Sequence, residues 1–355
     1  MIGILIPNNL WFCPYVSIYT KILNDERISY EIVSWCRDGI NETGCIQYKD
    51  TRTYSNNFQR LFSYYRFSRF IKKTVKLRRY DKLIVFTPQL AIFIALFLKH
   101  RYRGKYIFDY RDLSIEQMSV FKKTFTAVLR NSANNIISSP GFKTYLPTGF
   151  DYILSHNFNI DLVRGILKDG NSSVISTNTE SIDVLTIGGI RDYESNVQVI
   201  DSLSNKQDFT VRFIGRGPSA EALQAHANDI GAMNVSFEGY YPKEKEAEYI
   251  AGCSFMNIFY PRLRSHDTAL SNRFYNSLIY KRPMITTLDT TQGNYTQQYD
   301  LGVAIADCDG LGIKLKDFLQ SMDKDGYARR CNELLSSFIA DYDRFESVIK
   351  HFVSC

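Results

Sequence analysis

At 355 residues the chain is longer than one hydrophobic core usually serves, so two domains are expected. Hydrophobic residues make up 45% and charged residues 23%, the proportions of a soluble globular protein, and a net charge of +6 is too mild to imply nucleic acid. The seven cysteines (Cys13, Cys36, Cys45, Cys253, Cys308, Cys331, Cys355) are odd in number, scattered and without a C-x-x-C, which argues against a disulfide framework or a zinc site and for a reducing compartment.

MIGILI lacks a basic leader and runs into Pro7-Asn8-Asn9, so it reads as a first strand rather than a signal peptide. Strands are predicted near 2–6, 30–35, 82–87, 105–109, 134–138 and 152–155. LAIFIALFL, 90–98, falls far short of the roughly 20 apolar residues a spanning helix needs. The stretch 167–181 is rich in Ser, Thr and Asn and has no apolar face, so it reads as a linker. Further strands follow near 183–188, 210–214, 234–237, 254–258, 284–287 and 302–305, and the last residues have a helical period. Strands alternating with helix-length segments define an α/β chain with doubly wound parallel sheets. The expected division is 1–168, a linker at 169–181, a second domain at 182–330, and a C-terminal helix at 331–355 that needs a surface to pack on across a cleft.

In such sheets ligands bind beyond the carboxyl ends of the strands, so residues just after strands are the candidates. Gly188-Gly189-Ile190-Arg191-Asp192 lets backbone N–H groups approach a phosphate, with Arg191 adding a fork of donors. Gly215-Arg216-Gly217-Pro218 repeats the device, and Gly239-Tyr240-Tyr241-Pro242 supplies rings that can stack on a base. In SNRFYNSLIYKRPMITT, 271–287, Ser271 is an N-cap and Phe274, Tyr275, Leu278 and Ile279 form one apolar face. Arg273 and Asn276 share the opposite face. An arginine in a first helical turn opposes the helix dipole, a cost that a bound diphosphate would offset.

These residues resemble the GT-B glycosyltransferases, and most the family-4 group that builds bacterial capsule and lipopolysaccharide sugars. SNRFYNSLIYKRPMI is similar to P-x-K-x-x-E-x-x-x-x-G-x-P-(V/I)-I, with Arg273 in the basic place, Asn276 in the place of the ribose-holding glutamate and Lys281 in the place of glycine. YIFDYRDLSIE is similar to the D-x-R-D-L segment, and ISSPGFKTYLP and YILSHNFNID match further stretches in order. The paired glutamates of that group fall here on Thr268 and Asn276, and its glycine-rich loop after the first strand is replaced by Pro7-Asn8-Asn9-Leu10. The resemblance implies two Rossmann-like domains facing a cleft, an amino-terminal acceptor-binding half and a carboxyl-terminal half binding the nucleotide-sugar. It also implies retention of configuration, and no cofactor or metal beyond the nucleotide-sugar co-substrate.

The nucleotide-sugar site is then expected at Gly188, Gly189, Arg191, Gly215, Arg216, Tyr240, Tyr241, His266, Arg273 and Asn276. A base is expected from Asp112 or Asp109 at a strand end, with His156 as a further candidate. Asp307-Cys308-Asp309 is a D-x-D in the wrong context for a metal, and the histidines lack metal-site spacing. Residues 58–82 interleave Lys and Arg with Phe and Tyr, with Asp81 the sole acid. That pattern suits an anionic membrane surface, while a solvated helix with its rings in the core is an equal alternative; nucleic acid is not expected. The combined expectation is a cytoplasmic enzyme, peripheral on the inner face of the cell membrane, that glycosylates a saccharide or polyprenyl-linked acceptor. A non-catalytic partner of another glycosyltransferase and a nucleotide-sugar epimerase are the alternatives.

Overall fold

The computed structural model describes residues 1–52, 56–169 and 179–354. Two compact units emerge, Met1–Asn157 with Ala340–Cys355, and Phe158–Ile339. In the first, β1 (Ile2–Leu5), α1 (Val16–Asp25), β2 (Tyr30–Cys36), β3 (Cys45–Lys49), α2 (Asn57–Arg78), β4 (Lys82–Phe86), α3 (Pro88–Phe93), α4 (Ala95–Arg101), β5 (Tyr106–Tyr110), α5 (Ser119–Asn131), β6 (Asn134–Ile137) and β7 (Tyr152–Leu154) follow one another. All seven strands are parallel, in the order β3-β2-β1-β4-β5-β6-β7.

The second unit contains α6 (Ile160–Asp169), β8 (Ile182–Gly189), α7 (Tyr193–Leu203), β9 (Phe209–Arg216), α8 (Ala220–Asp229), β10 (Val235–Gly239), α9 (Glu246–Gly252), β11 (Phe255–Ile258), α10 (Arg264–Thr268), α11 (Asn272–Ile279), β12 (Met284–Thr287), α12 (Thr291–Gln298), β13 (Gly302–Ile305) and α13 (Leu311–Ser321). Its six strands are also parallel, in the order β10-β9-β8-β11-β12-β13. The last helix, α14 (Lys324–Ser354), contributes to both units. This is the doubly wound α/β fold that the alternation predicts.

Central strands such as IGIL, KLIVF and YIFDY are buried along most of their length, as crossover helices on both faces require. All twelve expected strands are present. The strand the periodicity misses is β3, CIQYK: it is an edge strand, only half-buried and paired only with β2, so it carries little apolar signal. LAIFIALFL folds as the end of α3 and the start of α4, with Leu90, Ala91, Ile92, Ile94 and Leu98 buried in the core. Among the described residues no helix is long and apolar enough to cross a membrane.

The expected boundary at 168 lies inside the second unit. α6 belongs there because Val163 is buried in its core with Leu185, Tyr275 and Phe338. Of the expected linker, residues 170–178 lie outside the described residues. The C-terminal helix begins at Lys324 rather than 331, and its last part belongs to the first unit, where Phe345 packs edge-on to Tyr19 at 5.1 Å.

Lys281 shows why the resembling pattern has glycine at its place. It sits at φ 55, a left-handed conformation that costs a side chain roughly 1 kcal/mol. It is also fully buried, with its ammonium donating to Leu278 O at 3.1 Å. Burial pushes the amine below the usual lysine range, the nearby Cys331 opposing. The folded chain therefore binds this proton less readily than the unfolded chain. That penalty is complete below the depressed value and vanishes above the free value of 10.5. Lys281→Met should raise stability at pH 7 by about 1 kcal/mol. Urea midpoints measured from pH 7 to pH 11 should show the advantage shrinking as pH rises; a constant or growing advantage would remove the charge as its cause.

Candidate functional site

The geometry of the second unit centres on the point where its strand order reverses, between β8 and β11. Chains leaving those two strands diverge there and open a crevice. Arg273, in the first turn of α11, spans it. Its Nε donates to Ile187 O (2.7 Å), one terminal nitrogen to Gly189 O (2.9 Å) and the other to Asn257 O (3.4 Å). The side chain is 9% exposed, and its guanidinium carbon lies 5.7 Å from the Tyr260 ring centre. Among the described residues no carboxylate pairs with it. A buried cation is held in place by neutral carbonyls alone, so its charge is left for something else.

That charge faces a cavity of about 360 Å³. Gly188, Gly189, Arg191, His266, Arg273 and Asn276 all line it, so six of the expected site residues are brought together. The N-terminus of α11 opens on the same space at Ser271 and Asn272, adding partial positive charge. The expected N-cap is made: Ser271 Oγ accepts from Phe274 N at 3.3 Å. Arg191 is exposed at the rim, and among the described residues no carboxylate pairs with it either. Of the acids nearby, Glu246 is committed to Lys243 and to the Tyr241 hydroxyl, 2.8 Å away. Asp192 lies 4.0 Å from His266 Nε2.

The turn after β8 is fixed by its glycines and by a buried amide chain. Gly188 has φ 93, and a Cβ on Gly215 would lie 1.9 Å from Gly188 O, so the two strand ends close up only without side chains. Asn257 Nδ2 donates to Thr186 Oγ1 (2.9 Å) and Asn196 Oδ1 (3.1 Å), and Asn196 Nδ2 donates to Arg191 O (2.7 Å) and Asp192 O (3.0 Å). Gly215, Arg216, Tyr240 and Tyr241 line a neighbouring hollow of about 340 Å³ that shares Gly188 and Lys243 with the first. Tyr240 is 70% exposed, with the Arg216 guanidinium 5.4 Å from its ring centre, so a flat hydrophobic ring stands free beside the anion pocket.

Reading the sequence missed Asn196 and Asn257, which brace this turn, and Gln292, which holds the α11 start by accepting from Ser271 N (3.0 Å) and Oγ (2.7 Å). The signal for Asn257 is a lone polar residue inside the apolar run FMNIF; for Gln292 there is none, because it acts across 21 residues.

The three proposed catalytic groups belong to the first unit. Asp109 is fully buried, paired with Arg111 at 2.6 Å through both oxygens and accepting from the Tyr19 hydroxyl at 2.5 Å. It has no face left for a substrate, so its role is to neutralise Arg111 rather than to act as base. His156 is buried against Asp341 of α14, Nε2 to Oδ2 3.1 Å, and burial lowers its pKa despite that carboxylate. It ties the final helix to the sheet and is likewise not a base. Asp112 is solvent-exposed in the turn after β5. Partial desolvation of the carboxyl raises it above the ordinary range against the pull of Arg111. Asp307 and Asp309 form a tight turn in which Asp309 N donates to Asp307 Oδ1 at 3.0 Å. Thr268, at one missing glutamate position, is buried and spends its hydroxyl on Arg264 O at 2.8 Å.

Two parallel-sheet units of this kind, with a crevice at the strand reversal, define a GT-B fold. No protein-family model matches the sequence, and no curated protein does. Solved structures match over the whole chain. Sucrose-phosphate synthase from Thermosynechococcus elongatus is 12% identical with a TM-score of 0.71, covering 100% of this chain and 99% of its own. HepE of Anabaena, solved in complex with UDP, is 11% identical with a TM-score of 0.66, covering 99% of both. The lipopolysaccharide outer core galactosyltransferase WaaB is 14% identical with a TM-score of 0.67, again covering 99% of both.

Proposed function

We propose that this chain is a metal-independent glycosyltransferase of the family-4 type, moving a sugar from a nucleoside diphosphate donor to a saccharide acceptor. The observation that carries the reading is the carbonyl-tethered, anion-free Arg273 at the mouth of α11. As the glycosidic bond to the leaving diphosphate breaks, negative charge grows on its oxygens. Arg273, Arg191 and the α11 N-terminus stabilise that charge without reorganising. In this reading Asn276, on the Arg273 cavity, holds the ribose, and Tyr240, on the neighbouring hollow, stacks on the base. Asp112 is the base candidate that remains accessible. Retention of configuration is part of the proposal through the resemblance alone.

The acceptor, in this reading, is held by the first unit and is a lipid-linked precursor of a capsule or lipopolysaccharide chain, handled at the inner face of the cell membrane. The name of WaaB supports the pathway. Helix α2 supports the surface: it has seven Lys or Arg and no acid, and Phe58, Phe62 and Tyr65 stand exposed on one stripe above Arg69 and Lys73.

UDP, GDP and dTDP should be titrated into the chain during thermal unfolding, followed by UDP-, GDP- and dTDP-sugars with polyprenyl-linked acceptors. A rise in Tm with one nucleotide, then acceptor-dependent release of that nucleotide, is expected. Binding without turnover would favour a non-catalytic partner, the reading that the missing carboxylate at Thr268 supports. Turnover without acceptor would mean an epimerase, and no response to any nucleotide would overturn the transferase and epimerase readings and favour the non-catalytic partner.

A further inference from the structure

A cavity of about 750 Å³ lies in the first unit and is about twice the size of the one holding Arg273. It sits beyond the carboxyl ends of β2 to β5, on the side of the strand reversal between β1 and β4. Three arginines line it, Arg37, Arg52 and Arg60, against one acid, Asp50. Arg52 is neutralised: it grips Asp50 through two bonds of 2.7 and 2.6 Å. Arg37 is not. Its guanidinium carbon lies 4.0 Å from the Trp35 ring centre and 5.4 Å from that of Tyr64, and its Nε donates to Pro7 O at 3.1 Å. The two rings and the carbonyl restrain the side chain, and among the described residues no carboxylate pairs with it. A pre-aimed guanidinium of this kind suits a planar or tetrahedral anion.

A second feature on the same wall is independent of charge. Gln89 lines the cavity, and its Oε1 is buried with no donor among the described residues. Two residues before it, Thr87 stands at φ 69, where a β-branched residue is strained by about 1–3 kcal/mol. Thr87 Oγ1 is buried and likewise without a partner. A saccharide hydroxyl in the cavity would supply the donor that Gln89 Oε1 lacks, once a turn of the amide brings that oxygen to the cavity surface.

We infer that this cavity binds an anionic saccharide, with the negative group on Arg37 and a hydroxyl donating to Gln89. The inference rests on the reading that the first unit holds the acceptor, and it narrows the acceptor class to phosphorylated or carboxylated sugars. Glucose 6-phosphate, glucuronic acid, glucose and inorganic phosphate should be titrated calorimetrically into the whole chain. One or both sugar anions are expected to bind at least about tenfold more tightly than glucose and than phosphate, the value of one charge-assisted contact. Preference between the two distinguishes a phosphate from a carboxylate.

Arg37→Met should erase the anion preference, and Gln89→Leu should weaken the sugar anion while leaving phosphate unchanged. A separate UDP titration keeps the two ideas apart: loss of UDP binding with the sugar anion retained sinks the transferase reading alone. Equal binding of glucose and its anionic forms, or an Arg37→Met variant with full affinity, overturns the inference.

Discussion

Replacing Arg273 with methionine is expected to weaken UDP binding by about a hundredfold, the worth of one to two charge-assisted contacts at about 1.5–3 kcal/mol each. The variant keeps the apolar stem and removes the cation set across the β8–β11 crevice. It also strips donors from Ile187 O, Gly189 O and Asn257 O, so some loss of stability without nucleotide should accompany it. Arg273→Lys separates the two effects. Lysine restores a charge near the pocket but cannot bridge three carbonyls, so it should recover part of the binding and little of the stability. Calorimetric titration of UDP, with unfolding curves on the apo variants, reads both. A Kd for UDP that is unchanged in Arg273→Met would take the guanidinium out of the site.

The largest stability change is expected from Asp109→Ala. The substitution leaves Arg111 buried at 6% exposure without its counter-ion, and removing one partner of a buried pair costs about 3–5 kcal/mol. Tyr19 loses its acceptor as well. The urea midpoint of the first unit should fall accordingly, and the double variant Asp109→Ala with Arg111→Met should recover much of the loss, because no uncompensated charge remains. If Asp109 were the base instead, the single variant would fold normally and lose turnover. A wild-type midpoint with abolished transfer would therefore reverse its assignment.

Several features of this fold were legible because they are local. Runs such as DVLTIG and MITT announce buried parallel strands, and Ser271 followed by Phe274, Tyr275 and Leu278 announces a capped amphipathic helix. The glycines at 188 and 215 read as turns open to a phosphate, and in the fold they let two strand ends meet, since a Cβ on Gly215 would lie 1.9 Å from Gly188 O. The edge strand β3 was not legible, since half of its surface faces no core. Nor was the boundary at 157: α6 has an amphipathic face, but no residue within it says which unit that face will cover.

Candidate roles depended on partners far away in the chain. Asp109 and Asp112 read alike, as carboxylates at the end of one strand. The fold turns the first inward onto Arg111 and Tyr19, 90 residues away, and leaves the second in solvent. Likewise His156 read as a further base candidate, and α14 brings Asp341 to it from 185 residues on. The sequence by itself determined the alternation of strands and helices, the turns that need glycine and the positive charge at 191 and 273, because periodicity, φ and charge are properties of neighbours. Only the tertiary structure decided that the charge at 273 is buried without a counter-ion while that at 191 stays exposed, because Arg273 meets carbonyls of β8 and β11 that lie 86 and 16 residues away, and among the described residues no acid pairs with it.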